Sequence, residues 1–354
     1  MRSDTAASKL PKFRILMLHG FAATGSYIEA KISPIAHRIT ELLAPEILSE
    51  FPGGIEFLSP DAPLVLEPPI GLGWNSEDFV EDERDKQTVI AQAKEEQTNR
   101  GWWYGRDTVN DYKGIEISLA SLAEFIHGRP IHGVIGFSQG AAVAGMVCSL
   151  LECHGNPDKV TAIRAQGLPV DDYLRLPDQE RLRFVMSIGG YQGTLKYYGS
   201  LYQWPMHTPS CHTLASMDAV VEHELSMNLA RSFVSYEIVE YLGSHFIPRD
   251  PASVNALARF AANASLLCDS RPIATATPPL SRSVNTTDDE DQSSTATLST
   301  LGSDKSFKSV TVWKRTRKTH VTWGRRMKLS TPPAKLGKEP QNTKLSFTQT
   351  HLRV

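Results

Sequence analysis

The sequence predicts an α/β fold with a doubly wound, mostly parallel sheet and helices on both faces. Three observations predict it. Short apolar runs closed by glycine alternate with segments of helical periodicity. One such junction holds a serine between two glycines, Gly136-Phe137-Ser138-Gln139-Gly140. The alternation then stops near Leu267, where the chain becomes rich in Ser and Thr and afterwards basic.

The elements follow in order. Phe13–Gly20, "FRILMLHG", is a branched apolar run ending in glycine, the pattern of a buried strand. Ile28, Ile32, Ile35, Ile39 and Leu42 then recur at helical spacing, in a helix that Pro34 should kink or split. "GIEFLSPDAP" reads as a second strand running into a turn. Residues 67–101 are acidic and polar, an excursion from the core with a short polar helix expected near Lys86–Gln97. This insertion is a lid over the site mouth or a plain surface loop. Ile115, Leu119, Leu122 and Ile126 share one helical face, and the strand "IHGVIGF" and a helix from Gln139 come next. "RLRFVMSIGGY" is another strand. "SCHTLASMD" is a short strand expected to end at Asp218, followed by a helix through Leu225, Leu229 and Phe233. "VSYEIVEYLGSHF" reads as the last strand, and Asp250 with Pro251 sets the N-cap and first position of a closing helix.

The chain of 354 residues is 41% hydrophobic and 21% charged, enough for a sizeable core. Its charge is divided: residues 1–270 hold 22 Lys/Arg against 33 Asp/Glu, and residues 271–354 hold 15 against 6. The expected organisation is a catalytic domain over 1–269 and a tail over 270–354 that buries too little apolar surface to offset its ordering entropy, so is disordered. Cys148, Cys153, Cys211 and Cys268 form no CxxC or zinc-like spacing, so neither a metal nor another cofactor is expected. No signal peptide or membrane span is legible, which makes a reducing, cytoplasmic compartment the default.

The chemistry centres on Ser138. Gly-x-Ser-x-Gly between a strand and a helix builds a tight turn that lifts the hydroxyl, and Ala141, Ala142, Ala144 and Gly145 let the helix pack close. A helix N-terminus beneath the serine favours developing negative charge. A serine hydroxyl needs a base, and on this architecture the partners follow in the order Ser, acid, His. Of the eleven histidines, His245 is placed best, in the Gly-Ser turn after the last strand. Asp218 lies 80 residues after Ser138 and 27 before His245, at a strand's end; capping the next helix is its alternative role. The oxyanion donors should be the N–H of Gln139 and, from the loop after the first strand, that of Phe21, with Ala22 next. His19 is read as a structural hydrogen-bonder of that loop. Trp103 and Tyr104, beside Trp102, and Tyr191 are candidates to border the acyl site, with a purely structural role as the alternative.

"ILMLHGF", "LSPDAP", "WWYGRD" with "YKGIEISL", "GVIGFSQGAAVAG", "SMDAVV" and "GSHFIP" together resemble the FSH-type family of serine hydrolases over roughly residues 12–265. The resemblance implies an α/β-hydrolase fold and an esterase or thioesterase with a Ser138–Asp218–His245 triad, and some members release polyketide products by thioester hydrolysis. The partner expected is a small ester or an acyl thioester, free or held on an acyl carrier, with no membrane. The competing reading is a catalytically retired hydrolase fold that binds a partner through its basic tail. "WKRTRKTHVTWGRRMK" does interleave aromatic and basic residues, but specific nucleic-acid binding is not expected of it.

Overall fold

The computed structural model describes residues 10–66, 99–105, 112–193, 196–266 and 311–316. Most of the 67–101 insertion, with the helix expected near Lys86–Gln97, lies outside the described residues. The elements are β1 (Phe13–Leu18), α1 (Gly25–Leu42), α2 (Pro45–Glu50), β2 (Ile55–Leu58), β3 (Leu64–Val65), β4 (Arg100–Gly101), α3 (Ile115–Ile126), β5 (Gly133–Phe137), α4 (Gln139–Leu151), α5 (Pro157–Ala165), α6 (Val170–Leu174), β6 (Phe184–Ile188), a 3₁₀ turn (Lys196–Leu201), β7 (Ser210–Ala215), α7 (His223–Arg231), β8 (Ser235–Tyr241), α8 (Pro251–Leu266) and β9 (Thr311–Thr316).

The main sheet runs β2-β1-β5-β6-β7-β8-β9. Every pair from β2 to β8 is parallel, and β9 closes the row antiparallel to β8. β1 shows why two helical layers form. Phe13, Ile15 and Met17 face a core built with Ile28, Ile32, Ile35 and Ile39 of α1 and Leu257 and Ala261 of α8. Leu16 and Leu18 face the opposite core, with Leu119 and Leu122 of α3, Val143 and Met146 of α4 and Leu229 of α7. Strand order reverses between β1 and β5, so the crevice at their carboxyl ends is the natural ligand site of such a sheet.

Three expectations need correction. α1 runs unbroken through Pro34 rather than splitting there. Pro34 and Ala30 both lie on the exposed face, so the Ala30 carbonyl that loses its helical donor can bond water. β7 ends at Ala215, three residues before Asp218; beyond it the consecutive N–H groups of Ser216 and Met217 both turn to one side, to Tyr241 O at the end of β8 (3.0 Å) and to Gly243 O in the loop that follows (2.8 Å). The closing helix starts as expected, with Asp250 Oδ1 accepting from Ser253 N at 2.9 Å. The reading of the tail places no strand there, yet Thr311–Thr316 forms the sheet's outer edge. No helix among the described residues is long and apolar enough to cross a membrane.

Three buried histidines give the fold an acid limit. Burial pulls His212 down to about 3; it pulls His19 and His132 down to about 4, with the charges of Arg183 and Arg14 adding to it at His132. The unfolded chain binds these protons as pH falls below about 6.5, whereas the fold refuses them until about pH 4 or lower. The contribution of these three groups is therefore flat above about pH 7 and falls as pH drops from about 6.5 toward 4, at up to about 4 kcal/mol per pH unit for all three together. Urea midpoints between pH 7 and 4.5 check this, and His212→Gln should lower the slope by one proton. A midpoint independent of pH across that range would refute it.

Candidate active site

Ser138 sits between β5 and α4 with φ 54° and ψ −120°, left-handed backbone on a non-glycine residue. The turn is held by Ser138 N donating to Ile188 O of β6 at 2.9 Å. Its glycines are sterically required. A Cβ on Gly136 would stand 2.3 Å from Gly140 O, and one on Gly140 would stand 2.3 Å from both Leu18 O and His19 O. The loop after β1 thus presses against the serine turn, and a Cβ on Gly20 would lie 3.3 Å from Ser138 Cβ.

The side chain of Ser138 meets His245. His245 Nε2 lies 2.9 Å from Ser138 Oγ, and Nδ1 lies 2.8 Å from Asp218 Oδ2. His245 and Asp218 side chains keep only 11% and 10% of their exposure, so their bond is largely shielded from water. Asp218 Oδ1 accepts from Val220 N and Val221 N, both at 2.9 Å, so one carboxylate organises its own loop and engages the imidazole. Burial works against its charge, but the His245 hydrogen bond and the Val221 and Val220 amides outweigh it and hold the carboxyl below its ordinary 3.8. The stability this contributes is fully present above the unfolded carboxyl's pKa and is lost as pH falls through the lower folded value. Beneath the pair, Gly189 at φ 57° leaves room: a Cβ there would lie 3.1 Å from His245 Cε1.

The surrounding loops are pinned by hydrogen bonds that sequence reasoning only partly foresaw. Gln139 was of interest for its backbone N–H; its side chain also accepts from Trp102 N (2.9 Å) and donates to Trp103 O (3.1 Å), tying the two-tryptophan segment to the serine turn. Trp102 Nε1 donates to His19 O at 2.8 Å. His19 donates from Nδ1 to Gly20 O (2.7 Å) and accepts at Nε2 from Ala62 N (2.9 Å), the structural role expected of it. Asp61 Oδ1 accepts from Gly25 N at 2.7 Å and fixes the far end of the loop carrying Phe21 and Ala22. Tyr241, the last residue of β8, points its hydroxyl at Ser244 O (3.1 Å) and Phe246 O (2.5 Å), the carbonyls flanking His245. A tyrosine four residues before the histidine is the only sequence signal of that brace. Removing a hydrogen bond of this kind costs about 1 kcal/mol. Tyr241→Phe is accordingly expected to lower kcat by about tenfold or less, with KM little changed; an unaltered kcat would deny the hydroxyl this role.

The candidate pocket residues divide. Trp103 is 1% exposed, as is Trp102, so both are core side chains. Tyr104 is half-buried, and its hydroxyl donates to Val65 O. Tyr191, half-buried after Gly190, packs edge-on to Trp103 with ring centroids 6.4 Å apart. Of the three candidates, Trp103 has the least surface to offer a ligand. Exposed apolar side chains stand instead on the loops around the serine: Phe21, Met217, Leu242 and Phe246. Among the described residues no group of three or more His, Cys, Asp or Glu is arranged to hold a metal ion.

A family model described as serine hydrolase (FSH1) matches residues 8–257. The chain is 23% identical to esterase OVCA2 of Xenopus tropicalis, over 66% of this chain and 86% of that protein. It is 24% identical to a dihydrofolate reductase of Schizosaccharomyces pombe over 67% of this chain, and spans only 44% of that relative's length. Among solved structures, acyl-protein thioesterase 2 of Zea mays aligns over 75% of this chain and 97% of its own, at 16% identity and a TM-score of 0.42.

Proposed function

Since the chain belongs to the FSH1 serine hydrolase family, we propose that it cleaves a carboxylic ester or an acyl thioester through an acyl-serine intermediate. The observation that carries this reading is the continuous hydrogen-bond chain from Ser138 Oγ through the His245 ring to Asp218, at 2.9 and 2.8 Å. Ser138 Oγ attacks the carbonyl carbon while His245 Nε2 takes its proton. Asp218 keeps the other ring proton on Nδ1 and stabilises the imidazolium. The carbonyl π electrons move onto oxygen, and the N–H of Gln139, first in α4 and without an intrahelical acceptor, is a donor for that oxyanion; the Phe21 N–H is the second. Collapse of the intermediate expels an alcohol or thiol, to which His245 returns the proton. Water, deprotonated by the same imidazole, then frees the acid.

The exposed Phe21, Met217, Leu242 and Phe246 support an apolar acyl or alkyl group on the substrate. Within this class we include thioesters presented on an acyl carrier, and with them polyketide release in secondary metabolism. A reducing, cytoplasmic setting is consistent with the free, buried thiols of Cys148, Cys153 and Cys211. The retired-fold alternative must explain why three groups far apart in sequence keep hydrogen-bond geometry. Turnover of the full-length chain against matched acyl esters and acyl thioesters of graded length tests the proposal: hydrolysis of one series is expected, and inertness to both would overturn it.

A further inference from the structure

Among the described residues, the basic tail meets the body at Thr311–Thr316. Thr311–Thr316 pairs with β8 in the register Glu240↔Thr311, Val239↔Val312, Ile238↔Trp313, Glu237↔Lys314, Tyr236↔Arg315, Ser235↔Thr316. We propose that the outer edge of β8 is a strand-docking surface for an extended basic segment, and that Thr311–Thr316 occupies it in cis as a tethered, exchangeable plug. Without β9, β8 would present a row of unpaired backbone groups at its end of the sheet, as β2 does at the other, the usual template for unwanted pairing. Three features select this occupant. Its register sets Lys314 at the position opposite Glu237 and Trp313 at the position opposite Ile238, so the sequence matches the edge in charge and apolar character. The charge division agrees, since the body carries the acidic excess and the tail the basic one. Finally, 44 residues separate Leu266 from Thr311, a contour long enough to reach the edge without strain.

A six-residue strand bonded on one side is marginal by itself and is held by its tether, which keeps its effective concentration high. The edge therefore suits other occupants of the same chemistry: extended segments with a basic residue opposite Glu237 and an apolar one opposite Ile238, added as a further strand. Thr311 pairs with Glu240, the residue before Tyr241, so the docked strand also steadies the end of β8 that leads to the His245 loop.

Hydrogen exchange on the full-length chain tests this. Val312→Pro with Trp313→Pro removes a ladder donor whichever of the two N–H groups points at β8. Protection over residues 235–241 is expected to fall by about tenfold or more while α7 stays unchanged. A synthetic peptide of residues 308–319 in excess should restore it, less well in high salt. Should the double variant fail to fold, Lys314→Glu, which sets two carboxylates opposite each other, is expected to lower protection in the same segment. Equal protection in wild type and variants, or a peptide that restores nothing, would overturn the proposal. Protection in the wild type that rises with protein concentration would overturn docking in cis.

Discussion

Ser138→Ala is expected to abolish covalent labelling by a fluorophosphonate probe and to reduce kcat by about five to six orders of magnitude, while leaving the fold intact. The loss is so large because the hydroxyl is the atom that forms the bond, and no other nucleophile takes its place in the hydrogen-bond chain. The fold survives because the serine turn is held by the Ser138 N to Ile188 O bond and by Gly136 and Gly140, none of which needs the hydroxyl. Unchanged thermal unfolding, together with lost labelling, separates chemistry from misfolding. Labelling that persists in the variant would place the nucleophile elsewhere. An intact wild-type chain that never labels would remove the hydrolase reading altogether.

The same geometry ranks the partners. Asp218→Asn leaves the contact to His245 but offers a neutral amide in place of a carboxylate, which disturbs the ring tautomer and typically costs about 10⁴ in kcat. Because Asp218 Oδ1 also accepts from Val220 N and Val221 N, that variant should lose some stability as well, unlike Ser138→Ala. The effects of the three side chains should not add, since each acts only through the others.

Ser138 and His245 were legible because local signals placed them. Glycines on both sides of a serine, at a strand-to-helix junction, leave few conformations open, and a histidine in a Gly-Ser turn after a strand falls on the same sheet edge. The fold class was legible for a related reason, since buried parallel strands and their covering helices carry strong apolar periodicity. Asp218, which hydrogen-bonds to His245, was picked out although its strand stops three residues early, because the alternation cannot show that Ser216 N bonds to Tyr241 O and Met217 N to Gly243 O. The Tyr241 brace and the Gln139 clamp were not legible. Each joins a side chain to a backbone group that only the folded chain brings near, and a tyrosine at a strand end looks like core. β9 was hidden for a different reason: "TVWKRT" carries strand-favouring Thr, Val and Trp, but it is short and embedded in polar, basic sequence, and its partner edge is 70 residues away. α5 could have been read, for Asn156 and Pro157 form an N-cap and first-turn pair, with Asn156 Oδ1 accepting from Lys159 N at 3.0 Å.

Gly140→Ala is the backbone counterpart of the serine deletion, and its expected effect falls on stability and activity together. The added methyl would stand 2.3 Å from Leu18 O and from His19 O, and 2.6 Å from the Leu18 carbonyl carbon. These are main-chain atoms of β1 and of the loop that follows, so no side-chain rotation relieves the overlap. β1 is bonded on both sides, to β2 and β5, and cannot withdraw cheaply. The helix must move instead, carrying the Gln139 N–H and Ser138 away from His245. Overpacking of this kind costs about 1–3 kcal/mol and more where backbone is displaced. kcat should fall by at least about a hundredfold, since a shift near 1 Å in reacting groups is enough for that. Gly145→Ala, five residues along the same helix, is the control. Its methyl would meet Leu229 Cδ1 at 2.9 Å, the far end of a flexible side chain, and alanine is the better helix former. That variant is expected to stay within about 1 kcal/mol of wild type and to keep its turnover. Chemical denaturation and ester turnover on the two variants decide the matter: equal tolerance of both methyls would mean that β1 and α4 do not approach as closely as the serine turn requires.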